Sequence, residues 1–145
     1  MNGNIRLRNL KLVALDTNIF IYYLHDYLGL TTLAGQIFKG LLNGRLKAVT
    51  SIITLVELLS LAAPESKIHA LKEQFEIIPN LEVLSVEKSI AIEAAQIRRE
   101  YKFRLPDSLQ LATARVARAK AFITNDARLK KFKETKVVLL TEIGS

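Results

Sequence analysis

An α/β fold with a central, mostly parallel sheet of about five strands follows from three features of the sequence. Short apolar or β-branched segments recur at residues 11–15 (KLVAL), 45–49 (RLKAV), 81–86 (LEVLSV), 121–124 (AFIT) and 136–140 (KVVLL). Helical periods separate them. The strand segments are nearly unbroken apolar runs rather than alternating ones, as strands covered on both faces are. Strands that alternate with helices pair in parallel, because each helix carries the chain back across the sheet. A chain of 145 residues is the size of one domain, here residues 1–145, and can bury roughly two thirds of the surface its unfolded form exposes.

The elements can be justified in order. The first strand ends at Leu15, and Asp16 follows as a favoured cap for a helix over TNIFIYYL. Asn43-Gly44 marks a turn before the second strand. The stretch SIITLVELLSLAA, residues 51–63, reads as a helix started by Thr50 or Ser51. Pro64 opens a further helix whose Ile68, Leu71, Phe75 and Ile78 share a face, and Pro79-Asn80 closes it. After the third strand, Ile90, Ala94, Ile97 and Tyr101 fall on one helix face. Pro106 sits at the start of the helical RLPDSLQLATA pattern. The fourth strand ends in Thr124-Asn125-Asp126, which leads into a short basic helix, and the fifth strand closes the series. No linker, repeat or low-complexity segment interrupts it.

Composition excludes several chemistries. The chain has no cysteine, so neither a disulfide framework nor a thiolate nucleophile is possible, and with only His25 and His69 a histidine-based zinc site is not expected. Metal chemistry would have to use oxygen ligands. Half the residues are hydrophobic, yet no stretch reaches the roughly 18 apolar residues of a membrane span. Residues 1–10 lack a signal peptide's apolar centre, so a soluble cytoplasmic protein without membrane contact is expected. The net charge of +7 is concentrated: residues 98–136 carry twelve Lys/Arg against four Asp/Glu, while residues 1–97 are balanced. Such a segment attracts polyanions by counterion release, although a solvated surface explains it equally well.

Four carboxylates stand where chemistry is plausible. In open α/β sheets the reactive crevice lies beyond the carboxyl ends of the strands; Asp16 follows a strand directly, and Asp126 belongs to the polar cluster that ends one. Either could instead be only a helix cap. Asp107, in the first turn after Pro106, suits the helix dipole and by itself reads as structural. Glu57 is not explained by capping. It lies well inside an apolar helix, and an unpaired buried carboxylate costs several kcal/mol, so it must reach water or face a cation. Four acids converging in one cleft would repel one another unless a hard divalent cation such as Mg²⁺ or Mn²⁺ joined them. Metal-activated water attacking a phosphodiester is the chemistry such a site performs, and the basic segment then has a nucleic-acid partner.

At these residues the sequence resembles the PIN-domain family, in particular the small VapC-like ribonuclease toxins of type II toxin–antitoxin pairs. The matching stretches are ALDTNIFIYYL, TSIITLVELL, RLPDSLQLATARV and AFITNDARLKKF, in family order and with family-like separations across nearly the whole chain. The resemblance implies a three-layer α/β/α fold and carries the family's acidic cluster onto Asp16, Glu57, Asp107 and Asp126 as catalytic and metal-holding positions. It also carries the supporting polar positions onto Thr17, Asn18 and Thr124, and implies RNA as substrate, frequent homodimerisation and a small antitoxin partner. Two departures stand out. Where many relatives place a further acid, Ala127, Arg128, Leu129, Lys130 and Lys131 follow Asp126, which leaves the number of metals, one or two, open. A Gly-Ala turn common before the fourth strand is Ala119-Lys120-Ala121 here.

The leading expectation is thus a Mg²⁺- or Mn²⁺-dependent endoribonuclease. Thr124, Thr17 and Asn18 would orient water or phosphate. Arg98, Arg99, Lys102 and Arg104 are candidates to hold the RNA backbone. Tyr22, Tyr23 and Phe103 could stack on bases but read more readily as core or interface residues. The alternative is a catalytically silent PIN-like module that binds RNA or protein. A phosphatase with Asp16 as nucleophile ranks low, because Asn18 occupies the place of its second acid.

Overall fold

The computed structural model describes residues 5–25 and 29–144. Five strands form one sheet: β2 (Leu12–Leu15), β3 (Lys47–Ser51), β4 (Leu81–Leu84), β5 (Ala121–Thr124) and β6 (Val137–Leu139). Their order is β4-β3-β2-β5-β6 and all four pairings are parallel, so the sheet is wholly rather than mostly parallel. Each strand coincides, within a residue or two at its ends, with an apolar segment singled out in the sequence. Two two-residue strands, β1 (Ile5–Arg6) and β7 (Ile143–Gly144), pair separately and have no sequence signature.

Six α-helices connect the strands: α1 (Thr17–Leu24) and α2 (Thr31–Leu42), α3 (Ile52–Leu59) and α4 (Glu65–Glu76), then α5 (Lys88–Tyr101) and α6 (Leu105–Val116). Of these, α2 was not anticipated. Period-two alternation along the strands divides the interior into two cores. Val13, Leu15, Ile123 and Val138 face one way and pack with Phe20, Phe38, Leu58 and Leu71 of α1–α4. Ala14, Phe122 and Val137 face the other way and pack with Ile90, Ala94, Ile97 and Leu111 of α5 and α6. This is the expected three-layer arrangement. The aromatics join it: Phe103 stacks on Tyr101 and Tyr23 on Phe38, consistent with packing rather than base stacking.

The topology places the site. The chain runs outward from β2 to β3 and β4, then returns to β5 on the other side of β2, so strand order reverses at β2. Loops leaving the carboxyl ends of β2, β3 and β5 are therefore neighbours. Register makes this concrete, since Leu15 lies opposite Ile123 and the Asp16 N–H extends the ladder by donating to the Ile123 carbonyl at 3.0 Å. Thr124 consequently stands beside Asp16.

Candidate active site

A pocket of 330 Å³ opens at this end of the sheet, lined by Asp16, Thr17, Asn18, Glu57, Arg104, Asp107, Gln110 and Asp126 with Ile21, Leu61 and Pro106. All four carboxylates named from the sequence reach it, from four separate segments. Asp16 arrives at the end of β2, Glu57 from within α3, Asp107 from the first turn of α6 and Asp126 after β5.

Asp16 is both a helix cap and a wall of the pocket. It caps α1, accepting from the Thr17 N–H at 2.8 Å, and it is also 9 % exposed at the pocket floor. Its second oxygen accepts from the buried Thr124 hydroxyl at 2.7 Å. Burial pushes the Asp16 carboxyl up to about 6 against the pull of these two hydrogen bonds, and Asp107 and Glu57 push the same way. Thr124 in turn accepts from the Asp126 N–H at 3.1 Å and from the Asn18 amide at 3.4 Å. Asn18 Oδ1 is buried with no hydrogen-bond partner among the described residues.

Glu57 accepts from the Thr17 hydroxyl at 2.6 Å. Ser51 caps α3 through the Ile53 N–H, which sets the helix phase that brings Glu57 over the end of β2. Neither Asp16 nor Glu57 forms a salt bridge among the described residues. Asp107 and Asp126 differ. The Arg104 Nε lies 3.3 Å from Asp107 Oδ2, and Arg128 Nη2 lies 3.7 Å from the same oxygen. Arg128 grips Asp126 through Nε at 3.0 and 3.2 Å and through Nη2, while its own N–H completes the cap on the 3₁₀ turn Ala127–Lys131. The short basic helix expected here is this turn. The Arg128 hydrogen bond holds Asp126 below the usual carboxylate range.

Of the expected RNA-binding residues, only Arg104 lines the pocket. Arg98 and Arg99 are exposed on the last turn of α5, and Lys102 is its left-handed C-cap. Sequence reasoning did not single out Gln110 or Arg128. Gln110 lies one turn beyond Asp107, a polar side chain amid buried neighbours of α6. That spacing was the available signal.

The donor set suits a hard cation: all oxygen, with two carboxylates lacking a protein cation and an unpartnered Asn18 oxygen beside them. Among the described residues no three His, Cys, Asp or Glu side chains are grouped to hold an ion directly. An ion of the Mg²⁺ type does not require this, because it keeps several waters and binds through one or two carboxylates. The residues therefore fit a hydrated ion of this type.

The fold is shared with known structures. A chain of the toxin–antitoxin complex from Klebsiella pneumoniae is 26 % identical, with 90 % of this chain and 99 % of that one covered and a TM-score of 0.69. DNA-bound VapBC from Salmonella typhimurium is 26 % identical over 88 % of this chain and 97 % of its own, at 0.68. VapBC2 from Rickettsia felis, bound to a DNA fragment of its promoter, is 18 % identical over 88 % and 98 %, at 0.68. No curated protein matches the chain. The PIN-domain family model matches residues 13–135, a span that begins in β2 and includes all four carboxylates, and the chain belongs to the PIN-domain family.

Proposed function

We propose that the protein is a Mg²⁺- or Mn²⁺-dependent endoribonuclease and the toxin of a toxin–antitoxin pair. The observation that carries this reading is the convergence of Asp16, Glu57, Asp107 and Asp126, from four segments, on one pocket at the switch point of the sheet. When bound, the divalent ion supplies a Lewis acid that activates water and offsets charge on the phosphorus oxygens. Asp16, Glu57, Asp107 and Asp126 would hold the ion or its waters. Thr124 keeps Asp16 oriented, Thr17 keeps Glu57 oriented, and Asn18 Oδ1 accepts from a bound water. Arg104 at the pocket supplies a cation for an RNA phosphate, and Arg98, Arg99 and Lys102 continue that track.

The similar structures bear names of toxin–antitoxin complexes, which supports a small antitoxin as partner. A homodimer is part of the same reading. Among the described residues no helix is long and apolar enough to cross a membrane, which agrees with a cytoplasmic role, and residues 1–145 form one domain in this reading.

A catalytically silent module that binds RNA or protein has one observation in its favour, the absence of three grouped acids among the described residues. Purified protein separates the two. The nuclease reading expects RNA cleavage that requires Mn²⁺ or Mg²⁺ and stops with chelator; RNA binding without cleavage at any metal concentration would establish the silent module instead.

A further inference from the structure

Beneath the pocket lies a chain of buried hydroxyl and amide groups whose hydrogens can be assigned from its two backbone anchors. Thr50, Thr54 and Gln110 are each 2 % exposed or less. The Thr50 hydroxyl donates to the Leu15 carbonyl at 2.8 Å, which uses its single hydrogen. At the 2.6 Å contact between Thr50 and Thr54, the donor is therefore Thr54. With its hydrogen engaged, Thr54 can only accept from Gln110 Nε2, which lies at 2.8 Å. The second Nε2 hydrogen goes to the Thr17 hydroxyl oxygen at 3.1 Å. At the other anchor, the Ser51 N–H donates to Gln110 Oε1 at 3.4 Å. Flipping the amide would set two donors against each other at Ser51 and would leave Thr54 with no hydrogen to give, so the orientation is determined.

The consequence falls on Thr17. Its hydroxyl faces two acceptors, Glu57 Oε1 at 2.6 Å and Thr54 Oγ1 at 3.3 Å. The 2.6 Å contact with a carboxylate outweighs the 3.3 Å contact with Thr54, so the Thr17 hydrogen goes to Glu57, and Gln110 Nε2, by donating to the Thr17 oxygen, fixes the hydroxyl in that orientation. We propose that Gln110 is a positioning residue for the nuclease site: by donating to the Thr17 oxygen it holds the Thr17 hydroxyl toward Glu57 and keeps that carboxylate in place for the divalent ion. The inference rests on the proposed metal-dependent reading and deepens it. Gln110 acts only through Thr17. It lines the pocket floor but contributes no charge.

Without the Gln110 donor, the Thr17 oxygen loses the bond that fixes it, its hydroxyl is free to turn between Glu57 and Thr54, and Glu57 loses its fixed orientation. Groups that orient metal ligands by hydrogen bonding are typically worth roughly 10–100-fold in affinity. The test is a double-mutant cycle on purified full-length protein with Mn²⁺ alone as probe, free ion being read by its electron paramagnetic resonance signal. Gln110→Met should raise the Mn²⁺ dissociation constant roughly tenfold, as should Thr17→Val, and Gln110→Met should add little in the Thr17→Val background. RNA cleavage at fixed Mn²⁺ should follow the same pattern with KM for RNA unchanged. Unchanged Mn²⁺ affinity in folded Gln110→Met, or losses that simply add, would overturn the positioning role. Should Gln110→Met not fold, Gln110→Leu removes the amide donor without adding charge and carries the same expectation. A wild-type protein that binds no Mn²⁺ would instead overturn the metal reading itself, and the inference with it.

Discussion

The two sides of the pocket treat their carboxylates in opposite ways. On the side formed by β2 and α3, Asp16 and Glu57 are held by hydroxyl and backbone donors and meet no protein cation among the described residues, and burial drives the Asp16 carboxyl up to about 6. On the side formed by α6 and the Ala127–Lys131 turn, Asp107 faces Arg104 and Arg128, and Arg128 pulls Asp126 below its ordinary range. One side keeps negative charge at an energetic cost; the other has already been neutralised at the rim. Stability does not account for the first arrangement, because replacing Asp16 by a neutral residue would remove the cost. The cation of the proposed function would account for it.

This division can be tested by unequal mutations. Glu57→Gln should lower RNA cleavage by about 100-fold or more, whereas Asp126→Asn, whose charge Arg128 already offsets, should lower it roughly tenfold. Equal losses in single-turnover assays would erase the distinction between the sides.

In the metal-free protein, Asp16 should be visible in the pH dependence of stability. Its carboxyl titrates near 3.8 unfolded and near 6 folded, so between these values the folded state binds the extra proton. Stability contributed by this group is therefore greatest below pH 4 and falls as pH rises through 6, reaching a deficit of about 3 kcal/mol at neutral pH. Asp16→Asn keeps the cap and should abolish that dependence, raising metal-free stability at pH 7.5 by up to about 3 kcal/mol in urea unfolding. Asp126 runs the other way: stability from its lowered carboxyl is present above the ordinary carboxylate range and is lost as pH falls through its folded value.

A smaller effect is expected further out. Neutralising Arg98, Arg99, Lys102 and Arg104 together should flatten the dependence of RNA affinity on salt, by roughly 0.7 in log–log slope for each phosphate no longer neutralised. An unchanged slope would place the RNA track elsewhere. Smallest of all, Arg128→Gln should leave the melting temperature almost unmoved, because its ion pair with Asp126 is exposed, while shifting Mn²⁺ saturation to lower concentration by freeing Asp126 and Asp107.

The residues that were legible in the sequence share a physical trait: their position had few alternatives. Asp16 and Asp126 follow buried parallel strands that read as apolar runs, and Glu57 interrupts an apolar helix where no cap could explain it. Helix α2 was not legible, because it begins without a capping side chain and carries Gly35 and Gly40. Gly40 packs closely: a Cβ there would stand 3.1 Å from Leu46 Cβ and would push that side chain aside by a few tenths of an ångström, and this approach exists only once the fold has formed. Gln110 escaped notice for a similar reason. A glutamine in a helix with helical spacing on both sides is ordinarily a solvent-facing residue, and only the crossing of α6 over the ends of β2 and β3 turns it inward. Arg128 was read as one of many basic residues, and its grip on Asp126 depends on the turn that Asp126 itself caps.

The central claim is that the buried side of the pocket exists to hold a divalent cation. Thermal melting of wild type and Asp16→Asn at pH 7.5 across a Mn²⁺ titration tests it most directly. Wild type should start lower and gain stability as Mn²⁺ is added, following RT ln(1 + [Mn²⁺]/Kd), while Asp16→Asn should start higher and gain little. Equal Mn²⁺-induced gains in the two proteins would contradict the claim and leave Asp16 as a helix cap alone.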